Sequence, residues 1–463
     1  MAAAEIGALR RGFAGAALAC GAFLALNGNG QASAQTLIRD AEIEQTLRVY
    51  SDPLLAAADV APSDVRLFLI QDPSINAFVA GGQNIFVHTG LIMEARTPNE
   101  IIGVLAHETG HIAGGHLARN REAINQSMGA ALISIGLGVL AMAAGAPDAG
   151  AVLIGGAQGV AMGNFVRHTQ VQESAADQAA TAYLEASRQS GVGLITFFNR
   201  ELRPYEFRTR RVPPWMMTHP FSSDRVESLR QRVTAGAHYS AVDTEDNLRR
   251  FRFMQAKLVG FIYSEAQTLS RYPTSDRSQP ARYARAVAYY RVSQLARARA
   301  ELDSLIAEDP RNPYFQELMG QILFENGRSA ESIPYHRRSI ELAPGQALLE
   351  INLARALNAA EARQGVDEAI SLLQQAIERE PDNAFAWREL AVSRDLQGQE
   401  ALAELASAEQ NFAMGDYAAA LHFAQRARQD LPRNTPDYQR ATDIVTFASD
   451  ELQERANQQG RRG

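Results

Sequence analysis

Cysteine is almost missing from this 463-residue chain: Cys20 is the only one. It lies inside the N-terminal apolar run, so removal of that run leaves no thiol. This excludes a disulfide framework, a cysteine nucleophile and thiolate metal ligands, and leaves imidazole and carboxylate as the metal-binding chemistry. Lysine is equally scarce, with Lys257 alone among residues that are otherwise arginine, which reads as a compositional bias. An excess of positive charge is also lacking. With 45 basic against 52 acidic residues the net charge is −7, which argues against a nucleic-acid surface.

No apolar run is a convincing membrane span. The first, from about Gly12 to Leu26, follows Arg10-Arg11 and ends at Asn27-Gly28-Asn29-Gly30, ahead of the small-x-small site Ala32-Ser33-Ala34. This is the pattern of a cleaved signal peptide over residues 1–34, with a retained anchor and lipidation at Cys20 as the lesser alternatives. Met128 to Ala146 and Ala149 to Val166 are uncharged but rich in alanine and glycine, and Pro147-Asp148 leaves only two residues for a hairpin. Three readings of 128–166 stay open: insertion, contact with a membrane surface or membrane-protein substrate, and close packing or a lid over the site.

What the chain does contain is His107-Glu108-Thr109-Gly110-His111. Thr97-Pro98-Asn99-Glu100 predicts a capped helix start with proline at the first position, and the mostly apolar Ile101 to Ala106 continues it. Residues four apart on a helix share a face, so His107 and His111 can reach one ion while Glu108 stands beside them to activate water. Such a catalytic ion needs a third protein ligand. His116 misses the register of a longer histidine motif, and if the helix continues it points away, which predicts a structural or surface role. The better candidate is Glu173 in Gln172-Glu173-Ser174-Ala175-Ala176-Asp177, where Asp177 is spaced to accept the free N–H of a ligating histidine.

The pairing of His107-Glu108-Thr109-Gly110-His111 with Glu173-Ser174-Ala175-Ala176-Asp177 resembles the gluzincin peptidases related to the CAAX prenyl proteases and HtpX-type membrane proteases. With helical repeats behind a secreted peptidase domain, the chain is similar to the periplasmic beta-barrel assembly-enhancing proteases. The resemblance implies one Zn2+ per chain, held by His107, His111 and Glu173, with Glu108 as base and Asp177 supporting. It implies further that an edge strand before the active-site helix aligns an extended substrate, for which Asn84-Ile85-Phe86-Val87-His88 is the candidate, with an ordinary core strand as the alternative. His88 itself reads as a hydrogen-bonded structural histidine. In Thr218-His219-Pro220-Phe221-Ser222-Ser223-Asp224-Arg225, His219 matches a loop histidine that can fill the open zinc position. The alternatives are that His219 or Arg225 stabilises the transition state, and that the loop only caps a helix.

From about 279 to 434 the chain turns helical and alanine-rich. Pro310 and Pro344 are 34 residues apart, the tetratricopeptide period, followed by intervals of 37 to Pro381 and 51 to Pro432. The expected fold is therefore an α+β zincin-like metallopeptidase domain, mostly helical with a small sheet, over 35–264. A linker at 265–278 leads to an all-α repeat solenoid at 279–434, then a C-terminal helix and polar tail at 435–463. The expected function is a periplasmic, possible outer-membrane-associated zinc endopeptidase that degrades misfolded or stalled outer-membrane proteins and assists their assembly. Its repeats would dock on those barrels or their assembly machinery. The alternative is a repeat-based periplasmic chaperone or scaffold whose peptidase activity is largely latent.

Overall fold

The computed structural model describes residues 36–116, 170–208, 219, 223–360 and 363–460. The expected signal peptide and the stretch 128–166 lie outside the described residues. The chain divides into two compact units between Leu258 and Val259, within the helix Glu245–Ile262.

In the first unit, β1 (Thr36–Ile38), β2 (Arg66–Gln71), β3 (Ala77–Ala80) and β4 (Asn84–His88) form one mixed sheet in the order β1-β2-β4-β3. Alternation sets its faces. Ile85 and Val87 are buried, while Phe86 on the other face stacks between Phe68 and Phe78 at centroid distances of 5.0 and 5.2 Å. Gly81 and Gly82, at φ of 58° and 101°, reverse the chain after β3. β4 then runs antiparallel to β3 and parallel to β2.

This corrects the expectation for Asn84, Ile85, Phe86, Val87 and His88. β4 is an interior strand, paired on both sides, and has no backbone edge left for a substrate. Among the described residues the edge beside it is β3. His88 is buried, with Nδ1 2.8 Å from Ser74 Oγ.

Helices cover the sheet. In α1 (Ala41–Ala57), Asp40 caps the start by accepting the Ile43 N–H at 3.0 Å. After α2 (Thr89–Glu94), α3 (Pro98–Ala113) carries the histidine motif. Thr97 Oγ1 accepts the Glu100 N–H, but the Glu100 carboxylate takes the Arg96 N–H at 2.9 Å and pairs with Arg200. The reciprocal bond of the expected capping box is therefore shifted by one residue. Next come α4 (residues 170–186), α5 (Val192–Arg208), α6 (Ser223–Ala235) and α7 (Glu245–Ile262). The single lysine is internal: Lys257 Nζ lies 2.8 Å from Asp40 and 3.5 Å from Glu42, which ties α7 to the start of α1. Removing one member of such a buried group typically costs about 3–5 kcal/mol.

The second unit is helical throughout its described residues. Its helices are α8 (Glu265–Arg271), α9 (Gln279–Arg291), α10 (Leu295–Glu308), α11 (Pro313–Glu325), α12 (Ser329–Leu342) and α13 (Ala347–Ala359). They are followed by α14 (Arg363–Arg379), α15 (Ala384–Leu396), α16 (Glu400–Ala413), α17 (Tyr417–Asp430) and α18 (Pro436–Gly460). From α9 onward, successive helices pack on one another in a stack of pairs. Fully buried Ala298, Ala369 and Ala420 allow the close contacts. The long interval from Pro381 to Pro432 holds three helices, α15 to α17. The stretch 265–278, expected as a linker, is structured: α8 carries a capping box between Ser264 and Gln267. Behind it, fully buried Arg285 donates to the Pro273 and Asp276 carbonyls at 2.8 and 2.9 Å and to Glu301 at 2.8 Å. Among the described residues no helix is long and apolar enough to cross a membrane.

His336 of α12 is buried against Gly320 of α11, and its Nδ1 has no hydrogen-bond partner. Burial, and then the charge of Arg355, lower its pKa from 6.5 to about 4. The unfolded chain therefore binds a proton that the native repeats refuse. Stability present above pH 6.5 should be lost as the pH falls toward 4, by up to roughly 3 kcal/mol. Urea unfolding of the repeat unit across that range should show the slope, and His336→Gln should flatten it.

Candidate active site

Two helices meet where one of them has no side chain. A Cβ on Gly110 would lie 2.8 Å from the Ala176 carbonyl oxygen and 3.0 Å from its Cα, so only glycine lets α4 lie this close to α3. Glu173 and Asp177, one turn apart on α4, thereby reach the histidines of α3. All of His107, Glu108, Glu173 and Asp177 are buried.

The donors converge. His107 Nε2 lies 3.1 Å from His111 Nε2 and 3.4 Å from Glu173 Oε2, and His111 Nε2 lies 3.3 Å from Glu173 Oε1. His219 adds a fourth: its Nδ1 is 3.3 Å from His107 Nε2 and 3.3 Å from both Glu173 oxygens. Its Nε2 lies 3.3 Å from the Ala77 carbonyl of β3, which can only accept, so that nitrogen carries the proton and Nδ1 turns a lone pair inward. A tetrahedral ion with bonds near 2.0–2.1 Å spaces its ligand atoms by about 3.3 Å. The edges that involve His107 or Glu173, 3.1 to 3.4 Å, match that spacing, and three imidazoles with one carboxylate suit a small borderline cation.

Supporting groups surround the donors. Asp177 Oδ1 faces His107 Nδ1 at 3.0 Å, and Arg225 from α6 grips Asp177 through Nε and Nη2 at 2.8 and 2.9 Å. Arg225 Nη1 also reaches Glu173 Oε2 at 3.0 Å. These contacts set the charges. Burial opposes ionisation of Glu173, but hydrogen bonds from His107, His111 and His219 hold it well below the carboxylate range. Burial likewise works against charge on His107, yet Asp177 and Glu173 raise it to about 10. His111 goes the other way, lowered to about 3 chiefly by burial. The acids that favour a positive charge on His107 are equally suited to a metal cation. Glu108 differs from both: burial raises its pKa, and neither oxygen makes a well-formed hydrogen bond. Its polar neighbours are the Val79 backbone and His219 Nε2 at 3.4 Å.

Residues 38–233 match peptidase family M48, and residues 283–347 and 353–410 match the tetratricopeptide repeat. The first unit carries an M48 peptidase domain. This chain is a metallopeptidase with C-terminal tetratricopeptide repeats. It is 26% identical over 370 residues to the beta-barrel assembly-enhancing protease of Yersinia pestis, covering 78% of this chain and 74% of that one. Against the protein of that name from Escherichia coli K12 it is 27% identical over 368 residues, 77% of this chain and 72% of the other. Metalloprotease LoiP of Escherichia coli K12 is 28% identical over 180 residues, 38% of this chain and 64% of LoiP.

The M48 domain thus brings His107, Glu108, His111, Glu173, Asp177, His219 and Arg225 into one cluster. The strand beside the cluster is β3, not β4: its Ala77 carbonyl faces His219 and its Val79 backbone faces Glu108. Arg225 requires a correction as well: two carboxylates engage its guanidinium, so it positions ligands and is not a free donor for a transition-state oxyanion. Of the structural and surface roles expected for His116, the structure shows the structural one. It is buried, with Nδ1 2.9 Å from His111 Nδ1, because the chain turns after Ala113 and the motif helix does not continue to it. The consecutive Gly114-Gly115 was the available signal.

The glycine contact yields a test. Gly110→Ala should push α4 from α3, destabilise the M48 domain by about 1–3 kcal/mol and weaken metal retention as Glu173 recedes. Thermal unfolding together with metal analysis of the purified variant checks both effects.

Proposed function

We propose that the chain is a zinc endopeptidase of the cell envelope that cleaves misfolded or stalled outer-membrane proteins, with His107, His111 and Glu173 as ligands and Glu108 as the base. The observation that carries this reading is the convergence of His107, His111, Glu173 and His219 beside a buried carboxylate. The repeats supply the protein-docking surface, and the substrate class is suggested by relatives named for beta-barrel assembly. The N-terminal signal-peptide pattern supports periplasmic action.

Zinc, when bound, supplies Lewis acidity to the scissile carbonyl and acidifies water. The chain's own groups do the rest. Glu108, whose raised pKa suits proton exchange, takes a proton from the attacking water and passes it to the leaving amine. Asp177 holds His107 in the tautomer that presents Nε2, while Arg225 holds Asp177 and Glu173 in place. The edge of β3 is suited to pairing with an extended peptide, which would set the scissile amide beside Glu108.

His219 favours a second aspect of the same reading. Its Nδ1 takes the ligand place that water needs, and its Nε2 takes the Ala77 carbonyl that a substrate strand would use. The resting enzyme is therefore self-inhibited. This seat also favours the alternative that the protein works mainly as a repeat-based chaperone with latent peptidase activity.

Glu108→Gln should retain zinc and fold while cleavage of a partly folded outer-membrane protein falls by about 10² to 10⁴. Full activity in a clean preparation removes the assigned base. Glu173→Ala should lose zinc along with activity, as metal analysis would show. His219→Ala should raise proteolysis. A fall of about 10² to 10³ would instead make His219 a transition-state donor. Unchanged activity with a stability loss of about 1 kcal/mol would leave it a structural cap.

A further inference from the structure

The two histidines of the motif are held from behind by different chemistry. His107 Nδ1 faces the carboxylate of Asp177, as metal-ligating imidazoles commonly do. His111 Nδ1 has another imidazole, His116 Nδ1, at 2.9 Å, the rings meeting edge to face at a centroid distance of 5.0 Å.

The local chain is shaped to bring this about. α3 ends at Ala113, and Gly115 adopts φ of 60°, which folds the backbone back on the helix end. A Cβ on Gly114 would lie 2.4 Å from His116 Nε2 and 2.8 Å from Cδ2, so the ring occupies the space that any side chain at 114 would take. His116 is 3% exposed, and its carbonyl faces Gln172, the neighbour of Glu173 on α4, at 3.5 Å.

Two Nδ1 atoms at hydrogen-bond distance need one proton between them. His111 turns Nε2 toward His107 and Glu173, so a ligating His111 keeps its lone pair there and its proton on Nδ1. His116 must then accept on Nδ1. We propose that His116 is a positioning residue that fixes the ring plane and tautomer of His111 as a metal ligand. The proposal rests on the reading of the cluster as a zinc site. It assigns to a third histidine of the segment His107–His116 the part that a carboxylate plays behind His107.

The experiment measures zinc affinity of the full chain by chelator competition, with unfolding of the metal-free proteins in parallel. His116→Phe keeps a ring but removes the acceptor, and His116→Asn restores an acceptor near the Nδ1 position. The expected result is zinc affinity about 10- to 100-fold weaker in His116→Phe, recovered to within a few-fold in His116→Asn, with similar metal-free melting of the two variants. On substrate, kcat should fall in His116→Phe more than KM rises. Unchanged zinc affinity in His116→Phe overturns the proposal, as does equal weakening in both variants with the fold intact. Failure of the unaltered chain to bind zinc stoichiometrically would overturn the zinc reading itself, which separates the two failures.

Discussion

The approach of α3 to α4 at Gly110 and Ala176 is the constraint on which the site depends. One helix supplies His107, Glu108 and His111, the other Glu173 and Asp177, and neither set is complete alone. Because the backbones meet without an intervening Cβ, the carboxylates of α4 can stand among the imidazoles of α3. Side-chain reach could not compensate for a wider separation, since a ligand displaced by an ångström no longer shares an ion. The glycine inside the motif is thus as necessary to the geometry as the histidines around it.

Burying so many polar groups in one place is costly unless they neutralise one another. Here the balance is local: Arg225 and His107 offset Glu173 and Asp177, and each acid has more than one partner. Glu108 is the exception, buried with poor hydrogen bonding. A well-bonded carboxylate would be held ionised and reluctant to carry a proton. Burial does the opposite, and a raised pKa is what a group that accepts and returns a proton requires.

The repeats follow another logic. Their core sets large side chains such as Phe315, Leu353 and Leu373 against buried alanines at 298, 369 and 420, a pattern that recurs along the stack. Arg285 shows how the unit begins: one guanidinium binds the backbone carbonyls of the segment after α8 and holds it against α9. A catalytic site needs particular atoms in particular places, whereas a docking surface needs a repeated shape.

Local pattern was enough to determine several features. Proline and threonine at the start of α3, histidines one turn apart, acids one turn apart on a second helix, and a proline interval of 34 residues each express short-range geometry that the sequence carries by itself. What neighbours decide was not legible. Strand order depends on how β3 and β4 fold back on β2, so nothing in Asn84 to His88 reveals that the strand is interior. Arg225 could be read as a donor to substrate until Asp177 and Glu173 were seen to engage it. His116 lies one residue out of helical register, and only the turn at Gly115 brings it back to His111. Spacing along one helix is set by the chain, but which groups share a proton or a metal ion across elements is set by packing, and that belongs to the tertiary structure.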